Sequence, residues 1–221
     1  MKKFQGLIAL ILLLSSSCKK DEIIESPDPM TETPLRYTPM RIGDYWIYEN
    51  FKVDTLGNDS SLQIMDSVYI SNDTVIDGST YYVLRGTHYP VHQRPGEILQ
   101  ILRESNGELI NSVGKIIFSS INNRDTLDSH YLINHSDTLY FTYNKMASTP
   151  TQITVPSGTL DCLDLQQTFV MYQNISPINP RIFHHYYGSG IGLIQSSIAF
   201  LSESSHIERR LIRSQVTVNT D

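Results

Sequence analysis

Two cysteines, Cys18 and Cys162, and one tryptophan, Trp46, are all that these 221 residues hold of those types. A fold stapled by several disulfides is excluded, so stability has to come from packing. Basic clusters are nearly missing too: apart from Arg209-Arg210 with Arg213, the 17 Lys and Arg are scattered among 23 Asp and Glu, and the formal net charge is −6. That excludes nucleic acid as a partner, because replacing phosphate counterions needs massed Lys and Arg. No apolar run reaches the ~20 residues of a membrane-spanning helix, and no window keeps helical apolar spacing beyond about three turns. HExxH, CxxC and P-loop spacings are absent, which leaves no cofactor to predict. Gly188-Ser189-Gly190-Ile191-Gly192 fails both GxGxxG and GxSxG and reads as a glycine-rich bend between strands.

What is present begins with Lys2 and Lys3, an apolar run from Leu7 to Leu14, and the small residues Ser15-Ser16-Ser17 ahead of Cys18. A basic start followed by a short apolar core and small residues predicts a signal peptide over 1–17. This junction resembles the lipobox of bacterial lipoproteins, in the relaxed form found in Bacteroidota, with Ser15 where leucine is usual and Leu14 one place earlier. The resemblance implies that Cys18 is alkylated by a diacylglycerol, that the leader is removed, and that the new N-terminus is acylated, palmitate being the typical chain. Two or more acyl chains anchor stably, each buried CH₂ contributing about 0.8 kcal/mol. Loss of the leader removes two lysines and no acid, so the net charge moves from −6 to −8. Residues 18–36 are rich in acid, Ser, Thr and Pro, with Pro27, Pro29 and Pro34; such a segment cannot bury enough to order itself and predicts an extended tether. Acidic residues close behind the cysteine resemble export signals of Bacteroidota surface lipoproteins, which implies a protein lipid-anchored at the bacterial outer membrane, facing the periplasm or the outside.

From Tyr37 the pattern changes to period two. Tyr45-Trp46-Ile47-Tyr48 follows a Gly43-Asp44 turn; Leu62, Ile64, Asp66, Val68 and Ile70 share one face; Asp77-Gly78 and Asn106-Gly107 each stand between strand-like runs. Those dipeptides tolerate the positive φ that tight hairpin turns need. Further strands are expected at 115–119, 138–143, 151–155, 160–172, 182–187 and 191–200. The segment from His88 to Gly96, with Pro90 and Pro95, reads as a loop. Near the end, Ser205 to Glu208 has capping-box spacing, but the alternation of Ile212, Val216 and Val218 favours a final strand. The fold class is therefore mainly β: one antiparallel domain over 37–221, as a large curved sheet, an open barrel or a sandwich. The phrases GDYWIYEN at 43–50, DTVIDGSTYYVLR at 73–85, ILRESNGEL at 101–109, VPSGTLDC at 155–162 and YYGSGIGLI at 186–194 resemble a loose family of uncharacterised Bacteroidota envelope proteins. They are turn-and-strand punctuation, so the resemblance implies a shared fold and transfers no activity.

Candidate site residues are few. Trp46 and Tyr48 share a strand face; they read as a core anchor or, functionally, as a ligand-binding platform for stacking on a sugar. His88 and His92 bracket the Pro-containing loop and could meet a metal with His184 or His185, yet ligand spacing of the usual kind is absent, and no metal site is predicted. His184 and His185, adjacent on a strand, should point to opposite faces. By the same rule Asp161 and Asp164 should not act as a pair, while Asp125 and Asp128 could hold calcium in a loop but lack EF-hand spacing. Cys162, between leucines, predicts a buried, inert thiol. No catalytic residue is assigned. The leading expectation is a non-catalytic, lipid-anchored envelope protein that binds a glycan, lipid or protein partner. The alternatives are a carrier of lipid or another hydrophobic ligand in a half-barrel, betrayed by an apolar cavity, and a metal-assisted hydrolase, betrayed by imidazoles gathered with carboxylates.

Overall fold

A computed structural model describes residues 36–135, 137–172, 180–200 and 203–217. The leader, Cys18 and nearly all of the tether lie outside the described residues. All described residues fall in one compact unit, Pro34–Asp221.

The described residues form thirteen strands: β1 Tyr45–Val53, β2 Asp59–Ile76, β3 Ser79–His88, β4 His92–Ser105, β5 Glu108–Asn111, β6 Ile116–Ser119, β7 Thr126–Asn134, β8 Asp137–Met146, β9 Thr151–Val155, β10 Gly158–Met171, β11 Arg181–Gly188, β12 Gly192–Ala199 and β13 His206–Gln215. They make one antiparallel sheet in the order 6-5-4-3-2-1-13-12-11-10-8-7, with β9 paired to β10. Strand β13 zips the end of the chain onto β1, Asn50 opposite Arg209 and Tyr48 opposite Leu211. The two edges, β6 and β7, come alongside each other, so the sheet curls into a nearly closed barrel. Across that seam the Lys115 ammonium meets Asp128 Oδ1 at 2.6 Å.

Alternation decides which face turns inward. On β2 the buried side is Asp66, Val68 and Ile70, and on β1 it is Trp46, Tyr48 and Asn50. The turns behave as their residues require: Asp77 and Gly78, and Asn106 and Gly107, all have positive φ. Inside, Phe118 on β6 meets Tyr187 on β11 with ring centroids 4.2 Å apart, joining opposite walls. The β9–β10 hairpin leans on β13, Ser157 N–H donating to the Leu211 carbonyl at 3.1 Å, and buries Val155 and Cys162 in the same core as Trp46.

Two expectations change. The predicted loop from His88 to Gly96 shrinks to three residues, and Pro95 lies inside β4. It is tolerated because the β3–β4 register slips between the pairs Gly86–Glu97 and His88–His92, so its missing N–H costs no ladder bond. Strand β7 replaces the loop around Asp125 and Asp128: Asp128 sits on the strand and is committed to Lys115. Its Tyr131 and Ile133 are exposed, and a strand that buries so little carries a weak period-two signal.

Candidate functional site

The inward face leaves a cavity of about 480 Å³, within the roughly 300–1,000 Å³ of small-ligand sites. Its walls differ in character. Leu84 on β3, Leu102 on β4, Leu109 on β5 and Ile117 on β6 make one side, whereas His185 on β11, Ser196 on β12 and Arg209 on β13 make the other. The polar side is a single ladder row, His185 opposite Ser196 and Ser196 opposite Arg209, continuing to Asn50 on β1. Residues directly opposite each other share a face of the sheet, so this row points into the barrel as a unit. Val91, 70 % exposed in the β3–β4 turn, and His92 mark the rim.

Arg209 is the fixed charge of the site. It is 4 % exposed, its Nε has no hydrogen-bond partner, and no carboxylate among the described residues lies within ion-pair distance. Its guanidinium carbon stands 4.2 Å from the centre of the Tyr48 ring. A guanidinium stays charged in proteins, and a buried charge is costly unless paired. The buried acids nearest the wall are engaged elsewhere: Asp66 accepts from Tyr89 N–H at 3.0 Å and from the Asn50 amide at 3.0 Å, and Asp164 bonds His184 at 2.8 Å. Among the described residues, seven buried polar side-chain atoms are without a partner, and five of them belong to residues of the cavity wall: Thr38, His88, Asn144, Ser196 and Arg209.

Trp46 and Tyr48 also line the cavity, at 3 % and 2 % exposure. Their polar ends are used by the fold, the indole N–H donating to the Ile191 carbonyl at 2.6 Å and the phenol to the Leu193 carbonyl at 2.9 Å. Burial pushes the Tyr48 hydroxyl up to about 12 against the opposing pull of Arg209. Any ligand would meet them as wall, inside the barrel.

The histidines divide as adjacency on a strand requires. His184 bonds Asp164 at 2.8 Å, which raises its pKa, while His185 lines the cavity. His88, His92 and His185 thus share one cavity, and His88 faces His92 across the ladder. They do not form a metal centre: among the described residues no three His, Cys, Asp or Glu converge on one point. Burial pushes His88 down to about 3 and His185 to about 4, so both are neutral at ordinary pH. Neither forms a nucleophile–base pair, since Ser196 Oγ and His88 Nε2 lack partners. Cys162 is buried, with its thiol pushed up to about 11 by burial. Asp161 is exposed while Asp164 is buried, so the two are not a catalytic pair.

Sequence reasoning counted Arg209 only as one of three clustered arginines. The signal that marks it is its place between Ile207 and Leu211 on the apolar phase of a strand, 3 % and 1 % exposed. Ser196 carries the same signal between Ile194 and Ile198, whereas Asn144, between Thr142 and Met146, is less marked.

No family profile and no curated protein matches this chain. Two solved structures are similar in shape. A protein assigned as a lipoprotein from Parabacteroides distasonis overlays with a TM-score of 0.45 at 13 % identity, covering 82 % of this chain and 99 % of its own. A protein assigned as exported, with a YmcC-like fold, from Bacteroides fragilis overlays with a TM-score of 0.45 at 11 % identity, with the same coverage of 82 % and 99 %. At that overlap the likeness adds nothing to what this chain's own cavity offers.

Proposed function

We propose that this chain is a non-catalytic, lipid-anchored envelope protein whose barrel takes one small, mainly apolar ligand into its interior. The observation that carries this reading is the cavity of about 480 Å³ with its wall of leucine and isoleucine from β3 to β6. A protein interior is normally packed to the density of an organic crystal, so a space of this size bounded by apolar side chains is suited to a guest. The anchor rests on the lipobox-like junction at Cys18, whose acyl chains mass spectrometry of membrane-extracted protein should find. With no nucleophile–base pair at the cavity wall, holding the guest is the chemistry that the wall supports.

The test is a titration of the mature protein with the neutral, apolar dye N-phenyl-1-naphthylamine. Saturable 1:1 binding is expected, with quenching of Trp46, the sole tryptophan and a wall residue. Val68→Phe, which adds bulk to the wall, should abolish most of that binding. A dye that does not bind, or that binds Val68→Phe as well as the parent, would overturn the reading.

A further inference from the structure

We infer that the guest is an amphiphile with a single carboxylate, held so that its acid group pairs with Arg209 and its apolar body lies against β3 to β6. The inference rests on the cavity reading above and names the chemistry of its ligand.

Three observations lead to it. Arg209 is nearly wholly buried, lines the cavity, stands over the Tyr48 ring, and has the neutral His88, His185 and Tyr187 within electrostatic reach and no ion-pair partner among the described residues. Arg209 and Ser196, directly opposite it on β12, lie on one ladder row of the cavity wall, and neither the Arg209 Nε nor the Ser196 Oγ has a partner among the described residues. The opposite wall offers Leu84, Leu102, Leu109 and Ile117 and no charge. A guanidinium and a hydroxyl suit a carboxylate, whose two oxygens accept several hydrogen bonds, and the leucine wall suits a hydrocarbon body.

The charge balance selects a monoanion. One guanidinium neutralises one negative charge; His88 and His185 are neutral, and His92, at the rim, faces Glu97 at 3.4 Å. Asp66 stands within electrostatic reach of both Tyr48 and His88, as Arg209 does, so a second negative charge in the cavity would meet repulsion. A phosphate monoester, carrying nearly two charges at neutral pH, fits this wall less well than a carboxylate.

The experiment is displacement of the neutral dye from the full mature protein at pH 7.5 by decanoate, decanol and decyl phosphate, which share one chain length. Decanoate should displace more strongly than decanol by about 10- to 100-fold, the worth of a charge-assisted hydrogen bond, and more strongly than decyl phosphate. Arg209→Gln should bring the decanoate-to-decanol ratio close to one, Arg209→Lys should keep part of it, and Arg213→Gln, which removes the same charge from an exposed position of β13, should leave it whole. Circular dichroism confirms that each variant folds, and Arg209→Lys keeps the test decisive should Arg209→Gln fail to. Equal displacement by acid and alcohol, or a ratio that survives loss of Arg209, would overturn the carboxylate while leaving the cavity reading standing. Preference for decyl phosphate would overturn the monoanion. Failure of the parent protein to take up the dye at all would sink both readings together.

Discussion

His88 and His185 make stability depend on pH in a defined window. Burial holds His88 near 3 and His185 near 4, against about 6.5 in an unfolded chain. Around His88, the charge of Arg209 and the neighbouring His92 and His185 oppose protonation, while Asp66 favours it. Around His185, His184 and Arg209 oppose it and Asp164 favours it. Unfolded chains therefore take up two protons as pH falls through 6.5 that the folded barrel refuses until 4 or below. The stability these groups contribute is whole above about pH 7 and is lost progressively below 6.5. Between pH 7 and 5 the linkage relation gives at most about 1.9 kcal/mol for each histidine. Water in the cavity and relaxation of Asp66 toward His88 reduce this, so we expect about 2 kcal/mol for the pair, a large share of a total of about 5–15 kcal/mol. His184 works in the opposite sense: its hydrogen bond to Asp164 raises its pKa, so its contribution is full below the unfolded value and fades as pH rises through the folded one. The assay is urea unfolding followed by Trp46 fluorescence at pH 7 and pH 5. Only a difference of slopes is needed: the double variant His88→Gln, His185→Gln should lose about 2 kcal/mol less than the parent over that interval. Parallel losses in the two proteins would refute the assignment of buried neutral imidazoles.

Three further outcomes follow from single sites. At Gly86, with φ of +146°, a methyl group would stand 1.8 Å from the Ser67 carbonyl oxygen, so Gly86→Ala should cost about 3–5 kcal/mol from backbone strain and overpacking, read as a fall in the urea midpoint. Asp44, buried, accepts from Arg41 N–H at 3.0 Å and from the N–H and hydroxyl of Thr217 at 3.1 and 3.3 Å; Asp44→Asn should retain part of what Asp44→Ala loses, about 2–3 kcal/mol, in the same unfolding assay. Ser196→Ala removes a buried hydroxyl without a protein partner, so it should leave unfolding stability unchanged or raise it by up to about 1 kcal/mol, while weakening decanoate in the displacement assay.

The barrel was legible wherever alternation and turn chemistry agreed. Asp77-Gly78 and Asn106-Gly107 mark their hairpins because few other dipeptides accept two successive positive φ values. The period-two run through Asp66 predicted the buried face of β2, charge included. Closure was not legible, because the partners of β1 and β6 are set by how far the sheet coils, a quantity that no local pattern records. The site was half legible. His88, His92, His185 and the aromatic pair at 46 and 48 were singled out and line the cavity, whereas His184, singled out with them, does not. Arg209 was hidden among neighbouring arginines. Its significance depends on the distance to the nearest carboxylate, and that is a property of the folded chain.

Polar residues on the barrel's inner wall are what connect the fold to its use. A buried polar group without a partner costs about 1–3 kcal/mol, and five such groups line one cavity. Set against a total stability of about 5–15 kcal/mol, that lining is a sizeable cost to the fold. Selection for stability alone would replace Ser196 and Asn144 with apolar residues and let the walls collapse onto Phe118 and Tyr187, which already meet across the interior. A row that sets a guanidinium and a hydroxyl side by side, opposite leucines that cannot satisfy them, gains its advantage when something with one acidic end and one apolar end enters. The histidines of the wall stay neutral chiefly because burial penalises their charged forms, and the positive charge of Arg209 adds to that.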